Sequence, residues 1–151
     1  MSILKNLGSA LAAGAKRFAP ASLTPEKRFA RALITSSALI TMADGSAEES
    51  EIEQASQIIA GHNSIKQYLS PAEAHGMYSE VVEELVAAYK NSTSRLLEVN
   101  KRVAEIADTV KDANWRREII EFANVMGASN SRGRAGADEQ AIIDKIKNAI
   151  G

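Results

Sequence analysis

The chain has 151 residues, 45% of them hydrophobic, which is enough for one filled core and too few for two. Lysine and arginine number 18 against 19 acids, and with a net charge of -1 and dispersed basic residues there is no general attraction to nucleic acid. No cysteine is present, which excludes disulfides, thiolate metal sites and cysteine nucleophiles together.

No apolar stretch reaches the roughly twenty residues that span a bilayer, and the pattern of a secretory signal is missing, so a cytoplasmic location is expected. Residues 2–18 place Leu4, Leu7, Leu11, Gly14 and Phe18 at spacings of three and four, which predicts an amphipathic helix within an N-terminal unit, 1–20. Lys5, Lys16 and Arg17 border that face. Internal glycines weaken unaided membrane binding, so docking on a protein partner is the expected use and peripheral membrane contact the alternative.

A helical domain is expected over 21–151. Thr24-Pro25 is a start signal, a capping residue followed by proline at the first helical position, and predicts a helix over about 25–43. Its stretch Ala32–Ala43 holds twelve residues without a charge. Such a run in a soluble chain belongs in a core.

An acidic stretch comes next: Asp44-Gly45-Ser46-Ala47-Glu48-Glu49-Ser50-Glu51. Gly45 supplies the positive φ that a chain reversing after a helix needs, and Asp44 can bond nearby amides or offer its carboxylate to an ion. Ser46 and Glu49 have capping-box spacing, and Glu48, Glu49 and Glu51 crowd a first helical turn, where the helix dipole favours negative charge. Turn and helix-start chemistry alone therefore accounts for these residues. The sharper reading is a hard-cation site, because carboxylates on a tight loop repel one another unless a cation or water shares them, and oxygen ligands suit calcium or magnesium. The spacing is not that of a twelve-residue calcium loop, so a second contributor is required.

Ile52, Ala55 and Ile59 predict a short amphipathic helix closed by Gly61, and Ile65, Tyr68 and Leu69 one or two further turns. Ser70-Pro71-Ala72-Glu73 is a second start signal. Tyr78, Val81, Leu85 and Ala88, then Leu96, Val99, Val103, Ile106 and Val110, are the facing stripes of an antiparallel hairpin broken at Asn91–Ser94. Glu80, Glu83 and Glu84 are expected on a solvated face. His62 and His75 lack any ligand spacing.

Asp112 can cap a helix carrying Trp115, Ile119, Ile120, Phe122 and Val125. Gly127–Gly136, with Arg132 and Arg134, is expected to be an irregular surface loop. The last helix, about 137–150, turns Ile142, Ile146 and Ala149 inward and carries Asp138 and Glu139 in its first turn.

The segment ITMADGSAEESEIEQASQII resembles the motif of the TerB family, associated with tellurite resistance: a long apolar helix, Ala-Asp-Gly, an acidic stretch, and a glutamate seven residues after the aspartate. Those positions are Asp44, Gly45 and Glu51, with Glu48 and Glu49 between. The resemblance implies an all-helical, internally duplicated fold with a second acidic motif near the C-terminus. Sliding the chain by 86 residues places Leu33 and Ile34 on Ile119 and Ile120, Leu39 and Ile40 on Val125 and Met126, and Asp44 on Asn130. The apolar pattern repeats and the aspartate does not. Asp138 or Glu139 matches Glu51.

The expected fold is therefore all-α, a compact bundle of about seven helices with internal pseudo-twofold duplication. The resemblance implies a non-enzymatic, divalent-cation-binding adaptor in a stress-response assembly of tellurite or phage type, with protein partners and contacts at the inner membrane. Its candidate ligands are Asp44, Glu48, Glu49, Glu51, Asp138 and Glu139. The alternative is a structural or assembly protein, phage-encoded and part of a virion or a host-interaction component, in which the acidic loop is only a helix cap. An enzyme is not expected, because no nucleophile, oxyanion donor or cofactor fingerprint accompanies the acids.

Overall fold

The Thr24 hydroxyl accepts a hydrogen bond from the Lys27 amide at 3.3 Å, and Pro25 occupies the first turn, so the first helix begins where the start signal lies. In the computed structural model, which describes residues 22–45, 48–130 and 136–151, this helix, α1, spans Pro25–Thr41. Every residue from Phe29 to Ala43 is buried. Full burial of a Leu, Ile or Phe side chain stabilises by about 1.5–3 kcal/mol, so Phe29, Leu33, Ile34, Leu39 and Ile40 make α1 the chief source of core energy. Its hydroxyls need internal partners: Ser36 donates to the Ala32 carbonyl one turn back, at 2.8 Å.

Six more helices come after it among the described residues, with no strand: α2 (Glu49–Gly61), α3 (Asn63–Lys66), α4 (Pro71–Ala88), α5 (Ser92–Thr109), α6 (Ala113–Asn130) and α7 (Ala137–Ile150). Helix α1 packs against all six, most extensively against α6, its counterpart in the expected duplication. Phe29 at its start stacks on Trp115 of α6, ring centroids 4.9 Å apart and planes 7° from parallel, and meets Tyr68 edge-on at 6.3 Å. The all-α bundle read from periodicity is the observed architecture. No described helix is long and apolar enough to cross a membrane. The N-terminal helix expected over 1–20 lies outside the described residues, as do Ser46, Arg132 and Arg134.

Several boundaries and faces differ from expectation. Helix α6 continues through Gly127 to Asn130, shortening the irregular stretch. Leu96 and Val125 are 51% and 60% exposed and Ala149 faces solvent, so these three sit at the edges of their stripes rather than inside. Helix α4 does begin with the reciprocal cap of Ser70 and Glu73: the Ser70 hydroxyl accepts from the Glu73 amide and the Glu73 carboxylate from the Ser70 amide.

The largest departure is the glutamate row of α4. Glu80 is only 7% exposed and faces Arg31 of α1, and Glu84, although its side chain is 41% exposed, pairs with Arg102 of α5. Arg31 of α1 lies 3.8 Å from Glu80 and 3.3 Å from Glu105. Arg102 of α5, 2% exposed, pairs with Glu98 at 2.8 Å, with Glu105 at 3.7 Å and with Glu84. Glu105 thus bridges two buried guanidinium groups and ties α1 to the α4–α5 hairpin. Removing ions from water costs several kcal/mol each, so such a network orients helices more than it adds net stability.

Burial pushes the Glu80 carboxyl above its ordinary value of 4.5, against the pull of Arg31 and Arg102, and Glu105 pushes it further. A carboxyl with a raised folded-state pKa binds its proton more tightly folded than unfolded, so its contribution to stability falls as pH rises through that window. Urea denaturation at a series of pH values is expected to show Glu80→Gln gaining on the wild type from about pH 4.5 upward. A difference independent of pH would show that Glu80 does not titrate there.

Candidate functional site

The uncharged α1 ends at a fixed point. Met42 and Ala43 are buried and bond back to Ala38 and Ile40, and the Gly45 amide donates to the Met42 carbonyl at 2.9 Å. Gly45 has φ +97°, the left-handed conformation that the turn demands. Asp44 is exposed at the apex of this reversal.

Helix α2 starts a few residues on. Its cap differs from the expected Ser46–Glu49 pair: Glu48 is the N-cap, Glu51 is the third helical residue, and the Glu51 carboxylate accepts from the Glu48 amide at 3.2 Å. Helix α7 repeats this in the second half. Gly136 is its N-cap, and the Glu139 carboxylate accepts from the Gly136 amide at 3.0 Å. Of Asp138 and Glu139, it is Glu139 that shares with Glu51 the third helical position and the bond from its own N-cap amide.

These junctions meet. Asp44, Glu51, Asp138 and Glu139 line one cavity of about 240 Å³, floored by Ile40 and Thr41 of α1 and closed by Gly136 and Ala137. Glu48, the N-cap, and Glu49, in the first turn of α2, stand exposed and do not line it. Four of the six candidate acids are therefore gathered around one space and two are not. Among the described residues no group of three acids or histidines is close enough to hold a metal ion as it stands. Part of the reason is local, since Glu51 and Glu139 each spend an oxygen on their own helix start. A carboxylate has two oxygens, so the donor chemistry still suits a hard cation although the geometry is not a finished shell.

A second, larger cavity of about 670 Å³ adjoins the first, sharing Asp44 and Asp138 and bounded by Tyr89, Arg95, Leu96, Ile142 and Lys145. Arg95, in the first turn of α5, donates to the Ala43 carbonyl and lies over the Tyr89 ring, 5.0 Å from its centroid. Burial pushes the Tyr89 phenol up, Arg95 pulls it down and Asp44 adds to the rise, so all three groups share one electrostatic neighbourhood. Sequence reasoning missed Arg95, which stands 51 residues beyond Asp44 behind a turn that carries no sign of what it faces.

The histidines stay apart from this region. The His62 Nδ1 accepts from the Ser64 amide, its ring meets Phe122 edge-on at 4.7 Å, and burial lowers its pKa against the pull of Glu118. His75 is exposed on α4.

The chain is, by class, an all-helical bundle in which two loop-to-helix junctions face each other across an acidic cavity. Comparison with models of known families, with curated proteins and with solved structures finds no match.

The turn itself is open to test. A methyl group on Gly45 would sit 2.8 Å from an Arg95 nitrogen, and the positive φ is strained for any L side chain. Gly45→Ala is expected to lower stability by about 1–2 kcal/mol, read as a fall in melting temperature of about 2–8 °C for a chain of this size. An unchanged melting temperature would mean the turn is not held in this conformation.

Proposed function

We propose that this chain is a non-enzymatic adaptor of TerB type, whose responsive element is the pair of acidic junctions at Asp44–Glu51 and Asp138–Glu139. The observation that carries this reading is the cavity of about 240 Å³ lined by all four acids from both halves of the chain. Mutual repulsion of carboxylates around one small space is relieved by a hard divalent cation, calcium or magnesium, which the oxygen-only donor set suits. Asp44 and Asp138 are the residues expected to contribute most, because both line the small cavity and the larger one that adjoins it. Binding would draw the two junctions together and stiffen the surface between α2 and α7, and that stiffened surface is what a partner in a stress-response assembly would read.

Titration calorimetry with calcium chloride and with magnesium chloride tests this. The wild type is expected to give a saturable heat with one of them, Asp44→Asn and Asp138→Asn to lose at least about tenfold in affinity, and Glu48→Gln and Glu49→Gln to bind as the wild type does. No heat from the wild type with either ion would remove the cation reading.

A structural or assembly protein is the second reading, and the capping bonds of Glu51 and Glu139 favour it, since they give those acids a purely local use. Exposed Leu96 and Leu97, at 51% and 65%, offer an apolar contact for a partner. This reading predicts self-association that depends on residues 1–20. Sedimentation of the full-length and residue-20-truncated chains should then differ in oligomeric state, and identical monomers would count against it.

A further inference from the structure

We infer that Arg95 is the resident cation of the acidic turn, and that an external divalent ion engages Ala43 and Asp44 only by displacing its guanidinium. The inference rests on the cation-binding reading above and adds to it the device that regulates the site.

Four features hold Arg95 in place. Its Nη2 donates to the carbonyl of Ala43, two residues beyond the last residue of α1. The C-terminal end of α1 carries the negative pole of the helix dipole, so a cation is favoured there. The Tyr89 ring lies beneath the guanidinium carbon at 5.0 Å. Finally, Gly45 leaves room for it, because a Cβ there would fall 2.8 Å from Nη1 and 3.5 Å from the central carbon. Glycine therefore serves two purposes at this position, the left-handed turn and the close approach of the arginine.

A hard cation at this turn would use the same oxygens. The Ala43 carbonyl cannot accept from a guanidinium and coordinate a divalent ion along one direction, and a fixed positive charge beside the Asp44 carboxylate repels an arriving ion. The arginine keeps the turn formed without a ligand and lowers the affinity for one. Lys145 on the opposite wall bonds Asn100 at 3.1 Å, and Arg95 is, among the described residues, a basic group in direct contact with the turn.

The test uses the full-length chain as wild type, Arg95→Gln and Arg95→Lys, with calcium and magnesium titrated calorimetrically and melting followed in chelator and in excess ion. Arg95→Gln is expected to bind at least about tenfold more tightly than the wild type, with Arg95→Lys between them because it keeps the charge and loses the fork. In chelator Arg95→Gln should melt below the wild type and recover when the ion is added, which separates a formed but loosened turn from an unfolded variant. Wild-type binding that Arg95→Gln matches or weakens overturns the competition and leaves the cation reading standing. Binding by Arg95→Gln with none by the wild type overturns the cation reading for the native chain, and with it the competition that rests on that reading. Silence in all three proteins overturns both.

Discussion

Everything in this fold depends on burying α1 on all sides. A helix with an apolar stripe can slide or rotate on a neighbour, but one in contact with six others has a single position, and its last residue then has a single position too. Met42 and Ala43, buried beside the final turn, pass that rigidity to Asp44. Core packing thus places the start of the acidic turn, the bonds from Gly45 to the Met42 carbonyl and from Arg95 to the Ala43 carbonyl close it, and an exposed aspartate acquires a defined location.

The α4–α5 hairpin packs into the core through Val81, Leu85, Val99 and Val103, and charges restrain it further. Arg31 and Arg102 converge on Glu105, with Glu80, Glu84 and Glu98 around them, and any rotation of α4 or α5 would strand a desolvated ion. Because Arg95 and Arg102 lie two turns apart on α5, the same restraint that locks the hairpin also sets where the Ala43 carbonyl meets its guanidinium.

How much of this can be read from the chain depends on the range of each interaction. Local chemistry is legible: Thr24-Pro25, Ser70 with Glu73, the positive φ of Gly45 and the seven-helix pattern all depend on residues within a turn or so of one another. The sequence places the cap of α2 two residues early because Ser46–Glu49 and Glu48–Glu51 offer nearly equivalent spacings, and only backbone geometry separates them. Glu80 reads as a solvent-facing residue because its partners, Arg31 and Arg102, stand 49 and 22 residues away, far outside any periodic pattern. The grouping of Asp44 with Asp138 is legible only through the internal repeat, whereas Arg95 belongs to no repeat and no motif and so leaves no trace.

The two junctions also show why acidic helix starts and cation sites are difficult to tell apart. Glu51 and Glu139 occupy equivalent positions, each bonded to the amide of its own N-cap, and this accounts for them without a ligand. Yet both residues also line the cavity that they share with Asp44 and Asp138. A cap that also served as a preorganised donor would lose little entropy on binding the proposed ion, while the two aspartates would carry the charge that attracts it. On the cation reading proposed above, capping and coordination would be successive uses of one geometry, with the choice between them set by whatever positive charge stands at the end of α1.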